Sequence, residues 1–170
     1  RVLRPTDAQQ IADAFADARA RGITVALRGS GCSYGDAATH NDGHVLDLSR
    51  MNRILDFDPA TGVAVVEPGV TLRDLWRRSI AYGFWPRVVT GTMQVSVGGA
   101  AAMNVHGKNN YALGSFGECV RAFELLTPRG ELVRCSRESD PALFHAAIGG
   151  FGMLGCFTKL EIETKRVHSG

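Results

Sequence analysis

Cysteine is scarce in this sequence: Cys32, Cys119, Cys135 and Cys156 are the four among 170 residues. No two are spaced as C-x-x-C, and no cysteine and histidine stand at a spacing typical of zinc ligands, so metal is not expected. The pattern reads as free thiols in a reducing compartment. An excess of one charge is also missing. Lys and Arg number 19 against 17 Asp and Glu, a net charge of +2, and the basic residues are scattered. Nothing in it suggests a nucleic-acid groove. No apolar run approaches the length of a membrane span. The start, Arg1-Val2-Leu3, has no leader-like character and no Met, so an upstream part is expected to be missing. A cytoplasmic protein of one domain with two lobes is the expectation, and 45% hydrophobic residues suffice for its core.

What the chain has in quantity is glycine, 20 residues. Thr90 to Gly117, TGTMQVSVGGAAAMNVHGKNNYALGSFG, carries Gly91, Gly98, Gly99, Gly107, Gly114 and Gly117 around His106 and Lys108. Glycine serves where the backbone must turn through φ > 0 or lie close against something else. Val95, Val97 and Ala100 to Met103 make the same stretch too apolar for a plain surface loop. A large flat ligand gripped by main chain suits it, with His106 and Lys108 as polar groups at the ligand's edge.

Around this segment the pattern is mixed α and β. Thr6-x-x-Gln9 reads as a capping box before a helix through Ile11, Ala14, Phe15 and Ala18 that ends at Gly22. Strands are predicted over residues 23–27 and 44–48. Ile54 to Asp58 and Val63 to Glu67 flank a hairpin turn, Pro59-Ala60-Thr61-Gly62. Thr71-x-x-Asp74 opens a second helix that stops at Gly83. Ser96 caps a short Ala-rich helix. Val120 to Thr127 and Glu131 to Cys135 form another hairpin, Asp140-Pro141 starts a helix, and Leu154 to Thr164 alternates as a long strand. The fold class is α+β: a small βαβ lobe over residues 1–58 and a larger lobe with an antiparallel sheet over 59–170.

The first predicted strand runs into Arg28-Gly29-Ser30-Gly31-Cys32-Ser33-Tyr34-Gly35. Successive backbone N–H groups in such a turn can cradle phosphate oxygens without a basic side chain. No Lys follows Gly35 as a P-loop requires. Gly29-x-Gly31-x-x-x-Gly35 misses the G-x-G-x-x-G dinucleotide spacing by one residue. Spacing alone therefore leaves an ordinary turn open beside a phosphate site.

The ordered set R-G-S-G-C-S-Y-G-D (28–36), E-P-G-V-T (67–71), G-T-x-Q-V-S-V-G-G (91–99), H-G-K-N (106–109), G-S-F-G (114–117) and G-G-F-G-x-x-G (149–155) resembles the FAD-binding PCMH-type domain of the vanillyl-alcohol-oxidase flavoprotein family. Nearly the whole chain is covered. H-G-K-N with G-S-F-G points to the branch of FAD-linked sugar oxidoreductases that act on lipid-linked phosphoribose.

The resemblance implies a two-lobed domain and one FAD. Gly29, Ser30, Gly31, Cys32, Ser33 and Tyr34 would hold its pyrophosphate. Gly91, Thr92, Gln94, Ser96, Gly98 and Gly99 would follow the flavin and ribityl chain. Ala102, Val105, His106 and Gly107 would continue that wall. Gly152 would approach the adenosine half, and Phe157 would sit nearby on the last strand. His106 and Lys108 would be catalytic, both facing the substrate side of the ring from an extended stretch in which residues two apart share a side. Some family members attach FAD covalently through a His at the position of Cys32 or a Cys at that of Met93. Lacking both, this chain is expected to bind FAD non-covalently. The implied reaction is hydride transfer from a sugar or polyol hydroxyl carbon, such as the 2′-hydroxyl of decaprenylphosphoryl ribose in cell wall biosynthesis. A short-chain reductase would be the partner that reduces the keto sugar. Alternatives within the fold are an aldonolactone oxidase or a cell-wall-precursor reductase; outside it, a flavin-binding module without catalysis. A C-terminal substrate domain, typical of the family, is expected to lie beyond Gly170. Turnover by residues 1–170 alone would be weak, and the whole protein would be peripheral at the membrane.

Overall fold

The computed structural model describes residues 1–168; Ser169 and Gly170, the end of the span assigned to the second lobe, lie outside the described residues. The first lobe opens with β1 (Val2–Leu3) and α1 (Ala8–Arg21), followed by β2 (Val25–Arg28) and β3 (His44–Asp47). All pairings are parallel, in the order β1-β3-β2. Helix α1 buries Ile11, Ala14, Phe15 and Ala18 and ends at Gly22, in the left-handed conformation at φ 64°. Its N-cap is Asp7, whose carboxylate accepts from the Gln10 N–H at 2.9 Å. The predicted Thr6/Gln9 box is thus displaced by one residue. Asp7 outcompetes Thr6 for the cap, and Gln10 Oε1 reaches back to the Thr6 N–H.

The second lobe holds β4 (Ile54–Phe57), β5 (Val63–Val66), α2 (Leu72–Ser79), β6 (Phe84–Pro86), α3 (Val97–Ala102), α4 (Asn110–Leu113), β7 (Val120–Leu126), β8 (Leu132–Ser136), α5 (Pro141–Ala147) and β9 (Cys156–Arg166). The sheet order is β4-β5-β9-β7-β8, with β6 pairing the far end of β9, and every pairing is antiparallel. Strand β4 therefore belongs to the second sheet, although its residues were assigned to the first lobe. The chain changes sheets between Leu48 and Arg53, because β4 takes its partner from the hairpin that follows it. Strand β6 was not predicted: it is three residues long, contains Pro86 and shows no alternation. Both the Thr71/Asp74 capping box and Ser96 as the N-cap of α3 occur as expected.

Two apolar clusters fix the lobes. The larger gathers Val66, Leu72, Leu75, Val97, Ala100, Phe116, Phe123, Phe144, Phe157 and Leu160 beneath the antiparallel sheet. Phe123 stacks on Phe144 at 5.4 Å and meets the Phe157 ring edge-on at 4.9 Å, both favoured arrangements. The smaller cluster joins Ile11, Phe15 and Leu46 of the first lobe to Leu126 and Cys156 of the second. Shared packing at the ends of β7 and β9 thus sets one lobe against the other. The loop after β2 faces α3 across the gap.

Candidate functional site

Between the lobes lies a cavity of about 980 Å³, near the upper end of the range for pockets that engulf small molecules. Its lining brings together segments far apart in sequence: Gly29 to Tyr34, Thr90 to Thr92, Ser96 to Ala102, Val105 and His106, and Phe151 to Phe157. Of the residues predicted for the cofactor, Gly29, Ser30, Gly31, Cys32, Ser33, Tyr34, Gly91, Thr92, Ser96, Gly98, Gly99, Ala102, Val105, His106, Gly152 and Phe157 all line it. Gln94 does not. It is exposed, and its side-chain amide lies beside the Arg73 guanidinium, accepting at 2.7 Å when the oxygen faces that donor. Gly107 and Lys108 line a smaller adjoining depression of about 260 Å³, together with Gly91, His106 and Asn110.

The first loop has the chemistry to receive an anion. Among the described residues, no backbone N–H from Ser30 to Tyr34 donates a hydrogen bond within the chain. Unpaired donors of this kind want an acceptor, and a curved row of them suits phosphate oxygens. Gly31, at φ 69°, makes the curve; a Cβ there would come within 2.7 Å of an Arg28 guanidinium nitrogen. Arg28 lines the cavity and adds the charge. Sequence reading assigned it no role, although it stands in the same motif.

Not every glycine of the second loop faces ligand space alone. A Cβ on Gly98 would meet the Pro68 Cβ at 2.6 Å, and one on Gly29 would overlap the Ser96 hydroxyl. These two glycines let the E-P-G-V-T turn and the first loop close on α3. Ser96 is itself buried, accepts from the Gly99 N–H at 3.3 Å, and so serves as helix cap as well as wall.

His106 stands where the two cavities join and lines both. Its backbone bridges to Ser115, and the Phe116 N–H donates to Val105 O at 2.7 Å. The G-S-F-G motif therefore acts as a short false strand that holds the histidine segment in place. The imidazole is exposed, which leaves its ring nitrogens open to a ligand. Lys108 departs from expectation. The Asn110 N–H donates to Gly107 O, so Lys108 sits in a turn leading into α4 instead of on an extended stretch. It reaches the same small depression as His106 but does not line the main cavity.

Two asparagines flank this segment and were missed as positioning groups. Asn104 Oδ1 accepts from the Gly117 N–H at 2.8 Å, and Asn109 Nδ2 donates to Arg87 O at 3.2 Å. Asn104 has φ 42°, which asparagine tolerates better than most residues. That conformation leaves no mark in a single sequence.

The thiols separate cleanly. Burial pushes Cys119 and Cys156 up to about 12, and Cys135 is buried, whereas Cys32 is exposed in the first loop. Peptide mapping after brief iodoacetamide treatment should find Cys32 labelled and the other three spared. Occupancy of the cavity should slow the labelling. Equal labelling of Cys32 with the cavity filled and empty would mean that the loop does not close on the ligand.

Comparison with known proteins bears on this geometry. A family model described as an FAD binding domain matches residues 1–136. Decaprenylphosphoryl-β-D-ribose oxidase of Mycolicibacterium smegmatis is 40% identical over 95% of this chain and 36% of its own length. L-Gulono-1,4-lactone dehydrogenase of Mycobacterium tuberculosis is 30% identical over 98% of this chain and 39% of its own. The crystal structure of 6-hydroxy-D-nicotine oxidase from Arthrobacter nicotinovorans superposes with a TM-score of 0.85 at 26% identity, over 97% of this chain and 36% of that one. The chain thus spans well under half the length of the relatives it matches.

Proposed function

The chain belongs to the family of FAD-binding domains of PCMH type, and on that premise we propose that it is the cofactor-holding part of an oxidoreductase acting on a sugar or polyol hydroxyl. The observation that carries the reading is the continuous cavity. It begins at the unpaired N–H row of Ser30 to Tyr34 and ends at the exposed imidazole of His106. These residues fit FAD: an anion cradle at one end, a side-chain-poor wall along Gly91 to Gly99, and a polar group at the other end. When bound, FAD supplies the two-electron acceptor for a hydride leaving a C–H carbon.

The chain's own contributions follow from the geometry. The first loop and Arg28 neutralise the pyrophosphate. Gly91, with open space where a Cβ would stand, lets the backbone pass close to the ligand, whereas Gly107 is small for the Val89 carbonyl. His106 receives the hydroxyl proton that must leave with the hydride, its imidazole being exposed at the cavity. Lys108, in the adjoining depression, holds an anionic part of the substrate such as a sugar phosphate. The similarity to the phosphoribose oxidase favours a lipid-linked phosphoribose, with a reductase consuming the keto product during cell wall synthesis and the protein peripheral at the membrane. The similarity to the gulonolactone dehydrogenase supports an aldonolactone as the second reading.

The test uses the whole protein to which this chain belongs, loaded with FAD and kept anaerobic. A lipid-linked phosphoribose should bleach the flavin band, and an aldonolactone should do so only under the second reading. Bleaching by dithionite but by neither substrate would overturn the proposal. Attachment is checked separately. With Cys32 and Met93 at the family's linkage positions, acid precipitation should release all flavin into the supernatant. Flavin remaining with the pellet would locate a covalent link, Cys32 being the nearest nucleophile to the cradle.

A further inference from the structure

The segment after α5 contains a residue that neither its backbone nor the core accounts for. Phe151 lies between Gly150 and Gly152, at φ 55°. A bulky side chain in that region is a genuine outlier, strained relative to an ordinary conformation. Glycine would be the natural occupant, and Gly149 and Gly152 on either side do take positive φ. The conformation is imposed from outside. The Gly149 N–H donates to Ala101 O at 3.0 Å and the Phe151 N–H to Ala102 O at 2.9 Å. Both bonds pin the loop to the last carbonyls of α3. The phenyl ring does not repay the strain through packing. It is 65% exposed and stands outside both apolar clusters and every aromatic pair among the described residues. It nevertheless lines the main cavity, with Met103 and Gly152 beside it.

We infer that Phe151 is a stacking plate for a flat heterocycle of the bound dinucleotide, held in a strained backbone so that its ring faces the cavity. Strain of this kind persists where the surroundings over-determine it and clusters at ligand clamps. The inference rests on the FAD-binding reading above. FAD carries two flat ring systems, adenine and isoalloxazine, and the shared chemistry is an extended π face.

The test uses the whole protein stripped of flavin, with Phe151→Gly, Phe151→Ala and Phe151→Tyr. Affinities for FAD, FMN and ADP are measured by fluorescence quenching or calorimetry, and the melting temperature of each apoprotein is recorded. Loss of the plate should weaken FAD about five- to a hundredfold in the Gly and Ala variants, as for aromatic stacking on a base, while Tyr retains it. A parallel loss for ADP with FMN unchanged assigns the plate to adenine; the reverse assigns it to isoalloxazine. Phe151→Gly apoprotein should melt higher than the parent, because the strain is relieved, although it binds cofactor less well. Opposite signs for stability and affinity are what a merely structural residue would not produce. Unchanged FAD affinity in both the Gly and Ala variants would overturn the inference. So would a Gly apoprotein that melts lower, since the ring would then be packing against protein. If the parent itself binds no FAD, the reading of the cavity fails instead.

Discussion

His106→Ala in the whole protein lowers the rate of substrate-driven flavin reduction by about 10²–10⁴-fold, the range expected when a proton acceptor is removed. FAD occupancy falls modestly at most, because the anion cradle is built by a separate loop, Gly29 to Tyr34. The imidazole stands exposed at the junction of the main cavity and the Lys108 depression. A histidine kept for structure would normally be buried and bonded, as His44 is: 2% exposed, with Nε2 2.7 Å from Asp17 Oδ2. Stopped-flow flavin reduction by substrate gives the check. A wild-type rate in the variant would place the proton acceptor elsewhere in the protein.

Gly31→Val abolishes retention of FAD through purification while leaving the far-UV circular dichroism close to that of the parent. The backbone carries the cost at this position. A β-branched residue at φ 69° is disfavoured by about 1–2 kcal/mol in the conformation that makes the cradle. Its Cβ would also come within 2.7 Å of the Arg28 guanidinium, the far end of a flexible side chain that shifts at little cost. With 1.4 kcal/mol worth tenfold in affinity, a loss of about five- to thirtyfold is expected. The loop is exposed and lies outside both apolar clusters, hence the retained secondary structure. Combining Gly31→Val with Arg28→Ala relieves the contact but not the φ strain, and should not restore binding. FAD bound at parental affinity by Gly31→Val would mean that the loop is an ordinary turn.

Much of this was legible because it depends on local chemistry. The Thr71/Asp74 box, Ser96 before the Ala-rich helix, Pro141 at a helix start and Gly130 in the β7–β8 turn each act through neighbours a few residues away. The glycine loops were legible for the same reason: a residue that must take positive φ can be seen without knowing what it faces. Misreadings arose where two local options competed. Thr6 and Asp7 are both good caps, and Asp7 takes the position by accepting from the Gln10 N–H. Lys108 was placed on an extended stretch because periodicity shows nothing of the Gly107–Asn110 turn that lifts it out of line. Gln94 was drawn into the site by its motif, yet Arg73, on the neighbouring α2, holds its side chain away.

The residues by themselves determined the α+β class, the segments rich in glycine, the absence of cysteine pairs and the family's six motifs in order. All of these rest on interactions short in sequence or on residue identity. Only the tertiary structure decided that β4 leaves the first lobe for the second sheet, that G-S-F-G is the strand partner of the His106 segment, and that Gly98 is small for Pro68. It alone brings Arg28 and Phe151, more than a hundred positions apart, to one cavity. Such contacts close loops of tens of residues, and their free energy comes from surfaces buried together, a quantity that no window along the chain contains.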